Sequence, residues 1–326
     1  MRKYILITGG AGFIGTQLAA RFASQDQKVL IYDNISRKGV KKNLSWLTTR
    51  YPELIHSEIA DILDKKSLEK AIHNSSFIYH LAAQVSMSRS LEDPMLDFEI
   101  NVRGTLNLLE TLRKTHSGIG LIFTSPESII HHPYGCSKRS AEQYVLNYAR
   151  SFGIQSTVIR TNPIYGPHQH GTDEQEWITQ FIKSTLAEEP IVIYGDGKNT
   201  QDSLYIDDLV DALLLAKEKL PLLNGQRFTI GGGSRNSITQ LELISILREL
   251  HGKELVINFK SAKHPIEKAT SLDSNAFKAI TGWSPAIPIH HGIQTLYQHL
   301  KNGSSRLEKY QLSHSQCTNL EKTSLS

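Results

Sequence analysis

"YILITGGAGFIGTQLAARFAS", Tyr4–Ser24, is the stretch on which the fold turns. Tyr4–Thr8 is short, apolar and rich in β-formers, so it reads as a buried strand. From Phe13 onward apolar residues recur at helical spacing. Between the two lies Gly10-x-Gly12-x-x-Gly15, overlapping a second register, Gly9-x-x-Gly12-x-x-Gly15. Glycines in this context allow a tight turn and close backbone approach, and the helix N-terminus then faces an anionic group. The unit predicts a dinucleotide-binding domain.

The same alternation continues outward. Strand-like "KVLIYD", "LIHSEIAD", "FIYHLAA", "GLIFTS" and "STVIRT" are separated by amphipathic helical stretches, including Asn101–Lys114 and Ser137–Phe152. Near-continuous apolar strands between such helices imply a parallel sheet covered on both faces. The expected fold is α/β, a doubly wound parallel sheet of the Rossmann type with a smaller C-terminal α/β substrate domain. The expected boundaries are 1–165 for the dinucleotide domain and 166–301 for the substrate domain, with segments returning to the first. Residues 302–326, polar and Ser-rich, read as a disordered tail.

Composition narrows the function classes. The 326 residues are 39% hydrophobic and 21% charged, with a net charge of +4. So mild a basic excess suits a small anionic ligand and makes no case for nucleic acid. The densest basic run, Arg37–Lys42, reads as a solvated loop. Two distant cysteines, Cys136 and Cys317, give neither metal spacing nor a disulfide framework, which suits a reducing cytoplasm. The chain enters its first strand without a leader-like segment. No apolar run approaches the ~18 residues that span a membrane, so no membrane association is expected. The paired histidines, His131-His132, His168-x-His170 and His290-His291, lack a third ligand at recognisable spacing. They read as solvated loop residues, and no metal is expected.

Asp33 ends the second strand, eighteen residues beyond Gly15. An acid there accepts from ribose hydroxyls and repels a 2′-phosphate, favouring NAD over NADP. Arg37 and Lys38 lie close and weigh the other way. Asp61-Ile62 at the third strand end would flank the adenine. Leu81-Ala82-Ala83 at the fourth offers small side chains where a cofactor passes the backbone. Tyr134 and Lys138 are four residues apart, on one face of a helix. A free phenol near pKa ~10 is a poor base at neutrality. A neighbouring ammonium, with a positive nicotinamide, would favour the phenolate and bring it nearer the working pH.

Together, TGGAGFIG, Asp33, HLAAQ, Asn101-Val-Arg-Gly-Thr and YGCSK resemble the extended short-chain dehydrogenase/reductases, the NAD-dependent epimerase/dehydratase group. Within it the chain is similar to the CDP-paratose 2-epimerases, also called CDP-tyvelose epimerases. The stretches that carry this are "YDNISRKGVKKNLSWL", "DPMLDFEINVRGTLNLLE", "PYGCSK", "DEQEW" and "NSITQLELISILREL", and the likeness runs to about Leu300. It implies bound NAD, oxidation of a sugar hydroxyl to a ketone and re-reduction from the other face. It places Tyr134 as base and acid, with Lys138 beside it. Gly9, Gly12, Phe13, Ile14, Asp33, Asn34, Ser36, Arg37, Asp61, Ile62, Leu81, Ala82, Ala83, Gln84, Tyr134 and Lys138 are the implied cofactor contacts. Gln84, Ser86, Asn162, Gln175, Trp177, Gln201 and Lys263 are the substrate candidates. Asn101 matches a position that supports the active-site backbone, or is an ordinary N-cap. A nucleotide-sugar substrate and a homodimer or homotetramer, its seam formed by Asn101–Lys114 and Ser137–Phe152, are implied as well.

Four positions depart from the group. Pro126 stands where a Ser or Thr hydroxyl normally holds the reacting sugar oxygen. Ser125 is the nearest substitute, although strand alternation points it away from the face of residue 126; Ser128 is the second. The connection from Ser125 to Tyr134 is short, which opens the pocket to water. Pro163 replaces a polar residue near the pyrophosphate, with Asn162 adjacent. Gln201 and Lys263 stand where arginines are common, losing charged bidentate bonds to phosphate. Two other readings stay open: a 4-epimerase or 4,6-dehydratase, with Glu127 as an added acid, and an NAD-binding protein with reduced catalysis.

Overall fold

The computed structural model describes residues 4–115, 118–127, 132–161, 163–170, 176–261 and 271–303. Its main sheet has seven parallel strands: β1 (Tyr4–Thr8), β2 (Val29–Asp33), β3 (Ile55–Ile59), β4 (Ser75–His80), β5 (Gly120–Pro126), β6 (Ser156–Thr161) and, later in the chain, Arg227–Ile230. Counting the short intervening strands Ile164–Tyr165, Ile191–Tyr194, Gln201–Asp202 and Leu204–Tyr205 as β7 to β10, Arg227–Ile230 is β11. The sheet order is β11-β6-β5-β4-β1-β2-β3. Chain order reverses between β1 and β4, which opens a crevice at the strands' C-terminal ends.

Strict alternation fills both faces. Ile5, Ile7, Val29 and Ile31 pack with α1 (Phe13–Ala23), α2 (Val40–Arg50) and the apolar residues of the C-terminal half. Leu6, Leu30 and Tyr32 pack against α3 (Lys65–His73) and, further along the chain, the helices Gly104–Thr115 and Pro133–Phe152. Each strand buries side chains on two faces, so the apolar runs are continuous rather than alternating.

After β4 the chain forms two short helices, α4 (Met87–Glu92) and α5 (Pro94–Phe98), which local periodicity did not announce. One π-helical turn, Glu99–Arg103, leads into α6 (Gly104–Thr115). Asn101 is therefore inside a helical run, not at its start. The long α7 (Pro133–Phe152) begins with proline at its first turn, where a missing N–H costs nothing, and ends on Gly153 at φ +69°. The C-terminal domain contributes α8 (Trp177–Leu186), β8 and its parallel partner Ile257–Lys260, and the helix Gln240–His251. The last described helix covers residues 289–303.

Candidate active site

The glycine turn builds an open cradle. Gly9 has φ +68°, and a Cβ there would stand 2.7 Å from the Ala82 nitrogen. The turn is thus pressed against Leu81-Ala82-Ala83 at the end of β4. A Cβ on Gly15 would lie 2.6 Å from Gly10 Cα, so α1 docks closely on the turn. Gly12 begins α1 with no side-chain cap and no acid in the first turn, leaving the leading amides, those of Phe13 and Ile14, for an anion. Asp33 braces the far side: its Oδ2 accepts from Ala11 N at 3.1 Å and its Oδ1 from Ile35 N at 2.9 Å. Burial pushes this carboxyl up, opposed by those two amides and by Arg37. Asn34 donates to Asp61 Oδ2 at 2.7 Å, and the Ser36 amide donates to Asn34 Oδ1 at 3.1 Å. Ile62 is buried against Gly104, so its side chain belongs to the core. Uncapped amides, a glycine cradle and an acid on the ribose side fit a dinucleotide.

The catalytic candidates lie between β5 and α7. Tyr134, Lys138 and Glu142 follow one another at single helical turns and are buried, Tyr134 at 7% exposure and Lys138 at 4%. Lys138 Nζ sits 4.1 Å from the Phe123 ring centroid on β5. Burial lowers the ammonium to about 7, while Glu142 and Asp97 raise it. The Tyr134 phenol differs from the sequence expectation. Burial, with the charge of Asp97, pushes it well above its ordinary value, and Arg37 offsets only part. Desolvation outweighs the nearby positive charge.

A polar chain runs beneath this pair. Thr8 Oγ1 and His80 Nδ1 are 2.7 Å apart, and His80 Nε2 is 2.9 Å from Thr105 Oγ1. Thr105 donates to the Asn101 carbonyl at 2.6 Å. His80 is fully enclosed, and burial with the Lys138 charge lowers it to about 3, so the ring is neutral. Asn101 Oδ1 accepts from Gln84 N at 2.9 Å, and its Nδ2 donates to Ser137 Oγ at 2.9 Å. Ser137 Oγ in turn donates to the Tyr134 carbonyl at 2.9 Å. Gln84 is occupied at both ends of its amide, donating to Ser86 O at 2.8 Å and Asp97 Oδ1 at 3.0 Å and accepting from Ser86 N at 2.6 Å. Ser86 Oγ caps α4 through Arg89 N at 3.2 Å. Asp97, His80 and Ser137 escaped the sequence reading. Asp97 lies four residues before Asn101, a usable signal, but nothing local says that this face turns inward.

At the break in the pattern, β5 does not kink. β4 stops pairing at His80–Phe123, while β5 pairs with β6 through Pro126–Thr161. The missing proline donor falls beyond the end of β4, where no strand needs it. Alternation therefore holds, and Ser125 points to the α7 side. Its buried hydroxyl lies by the Glu142 carboxylate, which it helps hold ionised, without completing a well-formed hydrogen bond. Glu127 turns away into an ion pair 3.6 Å from Arg160 and accepts from Thr229 at 2.9 Å. Ser128, Asn162, Gln175 and Lys263 lie outside the described residues. Trp177 packs edge-on to Phe181, and its buried Nε1 has no hydrogen-bond partner; Gln201 Oε1 and Ser203 Oγ are buried and bare too.

His168 corrects the solvated-loop reading. Its ring is 4.1 Å from Trp46 and 5.2 Å from His299, and burial with His299 and His170 lowers it to about 4. His170 Nε2 is 2.8 Å from Asn43 Oδ1. These contacts tie the segment after β7 to α2. Among the described residues no group of three His, Cys, Asp or Glu side chains could hold a metal ion. No described helix is long and apolar enough to cross a membrane.

Residues 5–231 match the model of the NAD dependent epimerase/dehydratase family. The chain is 32% identical to a CDP-paratose 2-epimerase of Salmonella typhi, over 90% of this chain and 98% of that protein. It is 30% identical to a putative UDP-glucose 4-epimerase of Methanocaldococcus jannaschii, over 92% and 99%. The Bacillus cereus UDP-glucuronic acid 4-epimerase, solved with UDP-glucuronic acid and NAD, superimposes with a TM-score of 0.83 at 26% identity, covering 92% of this chain and 99% of that one.

Proposed function

The chain belongs to the NAD-dependent epimerase/dehydratase family, and from that premise we propose that it is a nucleotide-sugar epimerase acting on a CDP-sugar of the paratose type. The observation that carries the reading is the buried pair Tyr134 and Lys138, on one face of α7 against the end of β5. Gly9, Gly12, the Phe13 and Ile14 amides and Asp33 would hold NAD. When bound, NAD supplies a hydride acceptor, later a hydride donor, with a positive charge beside Tyr134.

Tyr134 takes the proton of the sugar hydroxyl and returns it after the ketone has presented its other face. The Lys138 ammonium stabilises the phenolate between those transfers. Position 126 supplies no hydroxyl, and Ser125, the nearest described one, lies beside the Glu142 carboxylate. The bare Trp177 Nε1 and Gln201 Oε1 are the described polar atoms offered to substrate. An unpaired buried donor or acceptor costs about 1–3 kcal/mol, which a ligand hydrogen bond offsets. Exposed Met95, Phe98, Tyr144 and Phe152 on α5 and α7 provide the apolar seam of a homodimer or homotetramer.

Likeness to a putative UDP-glucose 4-epimerase favours a second reading, epimerisation at C4. Purified NAD-loaded protein incubated with CDP-, UDP- and dTDP-sugars decides between them by product analysis. Inversion at C2 of CDP-paratose supports the first reading and inversion at C4 the second. No turnover of any sugar by protein with bound NAD leaves a cofactor-binding protein without this chemistry.

A further inference from the structure

Asn43 is a buried amide on α2, 2% exposed, that the proton transfer described above does not use. Its Nδ2 donates to the Ala11 carbonyl at 3.1 Å and to the His168 carbonyl at 3.2 Å. Carbonyl oxygens only accept, so these two bonds fix the orientation of the amide. Oδ1 is left facing His170 Nε2, 2.8 Å away, and that ring nitrogen is therefore the donor. One side chain thus joins three segments distant in the chain: the glycine turn, α2 and the stretch after β7.

The connections run on in both directions. Ala11 N donates to Asp33 Oδ2 at 3.1 Å, so Ala11 is held by the ribose-side acid through its N–H and by Asn43 through its carbonyl. Between the two histidines, buried Gln169 donates to the Ile164 carbonyl at 2.8 Å and accepts from the Thr179 hydroxyl on α8. That helix opens with Trp177, whose buried Nε1 has no hydrogen-bond partner. Two more contacts seat the same stretch. Gln17 of α1 donates to the Pro167 carbonyl at 2.8 Å, and the His170 ring occupies the space a Cβ on Gly39 would need. Breaking one of these buried bonds leaves a polar group unpaired, at about 1–3 kcal/mol. Ala11 and His168–His170 therefore move together or leave Asn43 unsatisfied.

We infer that Asn43 and His170 are positioning residues, a latch through which a filled cofactor cradle steadies α8 and Trp177 for the sugar nucleotide. Ribose hydroxyls donating to Asp33 would fix the carboxylate to which Ala11 is bonded. Asn43 carries that restraint to His168 and His170, and Gln169 carries it to Thr179. The inference rests on the reading of the glycine turn and Asp33 as the NAD site and of Trp177 as a substrate contact.

The test is amide hydrogen exchange on the full-length protein, with saturating NAD and with NAD diluted away. In the wild type NAD should slow exchange of the Trp177–Leu186 amides at least about fivefold, the low end of coupling between two sites. Asn43→Ala should bring that ratio below about twofold, and His170→Ala should at least halve it, while NAD still protects the Gly9–Ile14 amides. His170→Gln, which keeps a donor for Asn43, should restore the ratio. A merely structural tie would speed α8 exchange equally with and without NAD, so an unchanged ratio in folded His170→Ala overturns the proposal. A wild-type α8 indifferent to NAD, with Gly9–Ile14 protected, overturns it too. Should Asn43→Ala not fold, the two His170 variants decide, because that residue is exposed. Exchange needs no sugar, so failure to turn over nucleotide sugars sinks the functional reading while leaving this one to its own measurement.

Discussion

Glu127 stands 3.6 Å from Arg160, immediately after β5 makes its last pairing through Pro126. An acid that looked available for dehydration is instead a tether for a short connection. Glu127→Gln should lower stability by about 1 kcal/mol, the scale of a partly exposed ion pair, since Arg160 keeps Glu142. Its kcat should stay within twofold of wild type. Urea midpoints and product assays check both, and a hundredfold loss of kcat in a folded variant would restore the dehydratase role.

Tyr134→Phe removes the proton carrier and keeps the ring that fills the site. We expect kcat to fall about 10²–10⁴-fold, the usual range for losing a positioned acid–base group. NAD content, read by absorbance after denaturation, should not change. A variant that keeps full turnover would move the proton transfer elsewhere.

Lys138 is held for function at the expense of stability. Its folded value, about 7, lies below the unfolded value near 10.5. The unfolded chain thus binds the extra proton between those values. The penalty is complete below about pH 7 and fades as pH rises to about 10.5. Lys138→Met should therefore be inactive yet stabilised by about 2–4 kcal/mol at pH 6, with little gain at pH 10.5. Denaturant midpoints at the two pH values test the sign.

Acid should unfold the protein through its buried histidines. His80 and His168 titrate near 3 and 4 when folded, below the usual 6.5. Unfolding takes up protons in that window, so stability falls from pH 6.5 toward pH 4. His168→Asn, which tolerates the φ of +67°, removes one titrating ring and should flatten the slope. Thermal melts across that range provide the measurement.

Gln201 has a buried Oε1 with no hydrogen-bond partner. Gln201→Arg should tighten nucleotide-sugar binding about tenfold, or ~1.4 kcal/mol, if position 201 meets the diphosphate. Calorimetry with CDP and CDP-sugars checks it, and an unchanged Kd places Gln201 outside that contact.

The sequence by itself determined the alternation of the main-sheet strands with the longer helices, the glycine cradle, Asp33 at the end of β2 and the shared face of Tyr134 and Lys138. These are local facts. A period of two or 3.6 residues, a turn that only glycine can make and a four-residue spacing are complete within a few residues of chain. Only the tertiary structure decided what those groups carry. Asn101 proved to lie within a helical run rather than at its start, and Asp97 proved to face α7. Ser125 turned to the Glu142 side because β5 stays paired through Pro126, and Glu127 was captured by Arg160. Charge depends on burial and on neighbours distant in the chain. The spacing promised a lowered phenol, but burial and the charge of Asp97 raise it, and Arg37 offsets only part.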